Sequence, residues 1–143
     1  MRSPKKRSLL GVNEHFEGEY NDKIHFLFSL ITYYIYLMKT TDFDNIVASE
    51  RLTLIDFYAT WCGACRAMDP TLDRIALAMS DIVTLVRVDT SAISSIPLVR
   101  RYNIVAVPTL ILFHRGAPLW RESGIISFSH IVEAIHRERL KMY

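Results

Sequence analysis

Hydrophobic and polar positions fall into a regular order from about Thr41 onward. Phe43, Ile46 and Val47 share one face of a short helix ending near Ala48, with Thr41 or Asp42 placed to cap it. The apolar stretch Leu52–Tyr58, interrupted by Asp56, predicts a strand. A helix to about Met79 follows, with Ala64, Ala67, Leu72, Ile75, Ala76 and Met79 at helical spacing and Pro70 expected to bend its axis. In Ile82–Val88, Ile82, Thr84, Val86 and Val88 alternate with Val83, Leu85 and Arg87, which reads as a mostly buried strand. Ser91 is placed to cap a helix carrying Ile96, Leu98, Val99 and Tyr102. The strand Thr109–Phe113, a turn at Arg115-Gly116 and the strand Ala117–Glu122 form a hairpin, and a last helix from about Ser129 to Leu140 turns Ile131, Val132 and Ile135 toward the core. The predicted order is α-β-α-β-α-β-β-α, an α/β chain containing one β-α-β unit.

Residues 1–37 differ in character. The basic cluster Arg2, Lys5, Lys6, Arg7 gives way to an acidic stretch (Glu14, Glu17, Glu19, Asp22), and neither piece has periodicity. The aromatic-rich apolar run Ile24–Met38 is shorter than the roughly 18 residues of a membrane span. It lies well after the basic cluster and lacks a small-x-small cleavage site, so it fits a signal peptide poorly. Three readings stay open: translation starting at Met38, a short signal-anchor facing the periplasm, or an added helix or strand packed on the domain. The sequence divides accordingly into an extension, 1–37, and a domain, 38–143, and any membrane contact is confined to residues 24–38.

With 143 residues, half of them hydrophobic, the chain can bury one ordinary core. The net charge of +2, with both signs dispersed, leaves no electrostatic footprint for nucleic acid. The two cysteines, Cys62 and Cys65, close too short a loop to constrain the unfolded chain much, which points to chemistry rather than stapling. A structural disulfide, half a zinc site and a pair of inert thiols are the plain alternatives. Zinc is disfavoured because neither a second CxxC nor a suitably spaced His pair supplies four ligands. Cys62 sits at or just before a predicted helix N-terminus, whose unpaired N–H groups favour a thiolate over the free thiol with its pKa of about 8.5. A second thiol three residues on can attack a mixed disulfide formed at Cys62.

Ile55-Asp56-Phe57-Tyr58-Ala59-Thr60-Trp61-Cys62-Gly63-Ala64-Cys65 resembles the active-site segment of the thioredoxin family, and a CxxC beside a βαβ pattern is a known signature of that fold. The likeness covers roughly residues 40–140 and extends to Pro70, Val107-Pro108-Thr109, Gly116 and Gly124. It implies a thioredoxin fold, a central mixed sheet flanked by helices, and a thiol–disulfide oxidoreductase in which Cys62 is the nucleophile and Cys65 resolves. It further implies that Pro108 is cis and faces the cysteines, that Val107 pairs with a substrate strand, and that Trp61, Gly63 and Gly124 border the docking surface, with Pro70 structural. Asp56 is implied to be a buried carboxylate moving a proton on or off Cys65, its pKa raised by burial; a satisfied buried acid without that role is the alternative. Partners would be protein disulfides and a thioredoxin reductase or other dithiol donor, in the cytoplasm, with no metal or organic cofactor. The rivals are an extracytoplasmic oxidase or isomerase and a non-catalytic binding module. Three departures stand out. Ala64 replaces the usual proline, Tyr58 replaces a frequent tryptophan as a packing substitution, and Leu85 occupies the place where some bacterial members carry a lysine, so a cation near Asp56 is expected to be missing.

Overall fold

Strand β1 (Leu52–Tyr58) is buried on both faces because each is covered by helices, which is why its sequence is nearly continuous in apolar residues rather than alternating. The computed structural model describes residues 40–143. In chain order these form helix α1 (40–47), β1, helix α2 (Gly63–Ala78), strand β2 (Val83–Asp89), a 3-10 turn (Ile93–Ser95), helix α3 (Ile96–Arg101), the hairpin of β3 (Thr109–His114) and β4 (Ala117–Ser123), and helix α4 (Phe128–Leu140). The sheet order is β2-β1-β3-β4, with β1 parallel to β2 and antiparallel to β3. The fold class and element order therefore follow the sequence reading.

Successive β1 side chains serve opposite layers. Leu52 and Leu54 join Met68, Leu72 and Ile75 of α2 and Ile131 and Ile135 of α4 in one core cluster. Ile55 and Phe57 join Phe43 and Val47 of α1 and Leu98 of α3 in the other. In that second layer Phe113 meets Phe43 and Tyr102 edge-on, at 6.0 and 5.2 Å between ring centres, a favoured aromatic geometry. Asp56, between Leu54 and Tyr58 in sequence, falls on the α2 side of the sheet. The hairpin turns through Arg115 and Gly116 at φ of +49° and +81°; two successive left-handed residues match the twist of the flanking strands.

Local expectations needed correction at several points. Residues 40–42 already lie inside α1, so neither Thr41 nor Asp42 caps it, and Ile46 is 40% exposed instead of facing the core. On α2 the buried stripe is Cys65, Met68, Leu72, Ile75 and Met79, while Ala67 and Ala76 face outward. Alanine is too small to dictate orientation, and the larger Met68 sets the face. Pro70 lies within α2, which continues past it. Among the described residues β2 pairs only with β1, and only Val83 of β2 is fully buried. Ser91 does not cap a helix: its amide and hydroxyl both donate to Asp89 in a turn, and α3 starts later, with Pro97 in its first turn. The last helix starts about where expected, at Phe128, and Ser127 caps it by accepting from the His130 amide at 3.3 Å. The run Ile24–Met38 and the boundary at residue 37 lie outside the described residues; within them no helix is long and apolar enough to cross a membrane.

Candidate active site

Cys62 is the N-cap of α2, in extended conformation, and its sulfur accepts the Cys65 amide hydrogen at 3.1 Å. The sulfur thus occupies the place that a Ser or Asp oxygen takes in an ordinary cap, where the helix dipole and unpaired amides stabilise negative charge. No acidic residue in the first turn opposes that effect. Cys62 and Cys65 are joined as a disulfide with their Cα atoms 5.3 Å apart. Both are buried, against Ala59 and with Tyr58, Ala64 and Val107 alongside, whereas neighbouring Trp61 is 73% exposed.

The loop before β3 completes the site from across the sheet. The Val107–Pro108 peptide is cis, and the Val107 carbonyl oxygen lies 3.6 Å from Cys62 Sγ. Pro108 is buried and its carbonyl accepts the Gly124 amide at 2.9 Å, which ties the start of β3 to the end of β4. Gly124 adopts φ of +98°, a conformation that favours glycine. Gly63 carries no such constraint: a Cβ there would make only ordinary contact with Arg66. Trp61 and Val107 border a shallow, mainly apolar groove with Thr90, Val99, Ile104, Val105 and Ala106. Of the residues predicted for the site, Val107 packs on the disulfide, Trp61 adjoins Cys62 in the chain but is mostly exposed, Gly124 is brought in through Pro108, and Pro70 lies farther along α2.

Asp56 is 1% exposed, and its register partner across the parallel β1–β2 pair is Arg87. Arg87 Nε donates to Asp56 Oδ2 at 2.9 Å, while its Nη2 donates to Asp69 Oδ1 on α2 at 2.8 Å. The guanidinium also lies over the Tyr58 ring, 4.5 Å from its centre, so Tyr58 is a cation–π platform and not simply a packing substitution. Asp56 Oδ1 is buried without a hydrogen-bond partner. Burial pushes the Asp56 carboxyl above its ordinary range, and the Arg87 hydrogen bond and charge oppose that rise. The expected lack of a cation near Asp56 is therefore corrected: Leu85 carries none, but Arg87, two residues on and on the same strand face, supplies it. Arg87 alternates with Val86 and Val88 along the chain, yet only the strand register reveals its partner.

Two sulfurs held at a helix N-terminus can pass between dithiol and disulfide without a bound group, and among the described residues no cluster of His, Cys, Asp or Glu could hold a metal ion. A CxxC pair on this topology, facing a cis-proline loop, defines a dithiol–disulfide site on a thioredoxin fold. The family model for Thioredoxin matches residues 34–137, and the chain belongs to the thioredoxin family. It is 38% identical over 96 residues to a chloroplastic thioredoxin Y from Oryza sativa subsp. japonica, covering 66% of this chain and 56% of that one. It is 34% identical over 82 residues to a bifunctional thioredoxin reductase/thioredoxin from Mycobacterium leprae, covering 57% of this chain and 18% of that one. Among solved structures it resembles oxidised mitochondrial thioredoxin 3 from Saccharomyces cerevisiae, with TM-score 0.62 and 30% identity over 68% of this chain and 89% of that one. The chain spans about half the length of the chloroplastic relatives it matches.

Proposed function

We propose that this protein is a thioredoxin-type thiol–disulfide oxidoreductase that reduces protein disulfides. The observation that carries this reading is the Cys62 sulfur seated as the N-cap of α2, with Cys65 one turn along and buried behind it. In the dithiol state the Cys62 thiolate attacks one sulfur of a substrate disulfide; the other sulfur leaves with the electron pair of the broken bond and takes up a proton, and a mixed disulfide forms at Cys62. Cys65 gives its proton to Asp56 and attacks Cys62. The Cys62–Cys65 bond forms, the substrate sulfur that was bound to Cys62 leaves with its electron pair and takes up a proton, and two electrons have passed to the substrate. The apolar groove beside Trp61 suits an extended substrate segment, with Val107 offering backbone pairing and Gly63 and Gly124 bordering the docked segment. A dithiol donor of the thioredoxin reductase kind then restores the pair; the Mycobacterium leprae relative, which names both activities in one protein, supports that partner. A reducing role fits the cytoplasm, the compartment of this proposal, with residues 38–143 as the working domain.

The test is the equilibrium potential of the pair in a glutathione series, read together with insulin reduction. A potential at or below the cytosolic glutathione poise is expected; a markedly more oxidising value overturns the reductant direction. Cys62→Ser abolishes turnover, and Cys65→Ser accumulates mixed disulfides visible on non-reducing gels. Retention of turnover by Cys62→Ser would overturn the redox assignment itself.

A further inference from the structure

The clamp around Asp56 assigns a task to Arg87. Its planar fork engages two carboxylates at once, Nε with Asp56 on β1 and Nη2 with Asp69 on α2. Asp69 follows Cys65 by four residues, one helical turn along the same helix, so the bridge ties the carboxylate to the helix that carries the resolving thiol. Arg87 is itself 38% exposed and is backed by the Tyr58 ring, whereas Asp56 is 1% exposed. The guanidinium thus spans from solvent to a buried carboxylate and occupies one of its oxygens. The other, Oδ1, is buried and unpartnered, a costly state for a carboxylate oxygen without a use.

We propose that Arg87 is a positioning residue for the resolving step: it holds Oδ2 of Asp56 and links it to Asp69, leaving Oδ1 as the atom that exchanges a proton with Cys65. This deepens, and rests on, the reading of Asp56 given above. When Cys65 attacks the mixed disulfide, its proton goes to Oδ1, the Cys62–Cys65 bond forms and the substrate–Cys62 bond breaks. The charged and titratable groups on this face are, from β1, Tyr58; from β2, Arg87 and, at the strand end, Asp89; from α2, Asp69 and Cys65; from α4, the buried Glu138, held by Lys141 and Arg137; from β3 the register partner is the apolar Leu110. One strand further, Glu122 is engaged by His130 of α4 at 2.8 Å. Arg87 is thus the cation that lowers the affinity of Asp56 for a proton against the opposing effect of burial. An Arg differs here from a Lys because a single ammonium lacks the rigid fork that grips both carboxylates.

The experiment follows single-turnover reduction of glutathione disulfide by the pre-reduced full chain, using tryptophan fluorescence between pH 5 and 9. The variants are Arg87→Gln, Arg87→Lys, Asp56→Asn and the double Arg87→Gln/Asp56→Asn. Arg87→Gln is expected to slow the reaction about tenfold at pH 7 and to recover toward pH 9, since an adjacent Arg typically lowers a carboxylate's proton affinity by at least that factor. In the Asp56→Asn background the Arg87 change should have no further effect. Arg87→Lys should fall between Arg87→Gln and the parent. An equal slowing at every pH, or an equal slowing with and without Asp56, overturns the proposal and leaves Arg87 a merely structural residue. If Arg87→Gln fails to fold, Arg87→Lys decides: a pH-independent loss, or no loss, overturns the proposal. A parent chain that reduces no disulfide overturns the functional reading instead. In that case a carboxyl NMR titration of Asp56 decides the Arg87 claim, which falls if the midpoint in Arg87→Lys equals that of the parent.

Discussion

At the residue scale, the site depends on two atoms placed against their ordinary preference. A sulfur replaces the usual oxygen of a helix cap, and a carboxylate is buried within the otherwise apolar run of β1. For Asp56 the cost appears as a pH dependence of stability. Its proton affinity is raised in the folded chain above the ordinary value of 3.8, so between 3.8 and the folded value the native state holds more protons than the unfolded one. Stability from this group therefore falls as pH rises through that window, and the full penalty is present above it. Asp56→Asn, which cannot ionise, should raise the melting temperature of the oxidised protein at pH 7. The gain should shrink as the pH is lowered toward 3.8. Melting curves across pH measure this directly, and a gain that persists unchanged in acid would show packing rather than ionisation at work.

At the element scale, α2 does two jobs. Its first turn holds the Cys62 sulfur at the N-cap, and its stripe of Met68, Leu72, Ile75 and Met79 anchors that turn on the sheet. Ile75 is fully buried, so Ile75→Ala should cost about 2–5 kcal/mol through lost burial and the cavity left behind. Ala76, one position along, faces outward, and Ala76→Gln should change stability by less than about 0.5 kcal/mol. Urea unfolding of the two variants compares them, and it discriminates the observed stripe from the one that the alanine spacing suggested. The boundaries of α2 and of β1 were legible because capping, helical spacing and a long apolar run are local signals. The start of α3 was not, because Asp89 competes for Ser91 and withdraws it from any helix.

At the scale of the whole molecule, the core clusters and the cysteine site tie the described elements together from α1 through α4. A chain beginning at Met38 should therefore melt cooperatively and reduce insulin at a rate within about twofold of the full chain, as expected of a domain with its own core. Loss of cooperative melting in that shorter chain would assign residues 1–37 a part in the core. Calorimetry and the insulin assay measure the two outcomes.

The sequence by itself determined the chemistry and the order of elements, since both rest on near neighbours: two thiols three apart, a cap ahead of a helical stripe, a strand before it, a Gly-containing turn in the hairpin. Tertiary structure alone decided which distant residues meet. The parallel register of β1 and β2 sets Asp56 opposite Arg87, and the packing of α2 on that face brings Asp69 to the same guanidinium. A pairing across thirty-one positions follows from hydrogen-bond register and side-chain alternation over a whole strand, not from spacing within any one segment. For that reason the missing lysine at Leu85 was visible in the chain, and the arginine that takes its place was visible only in the fold.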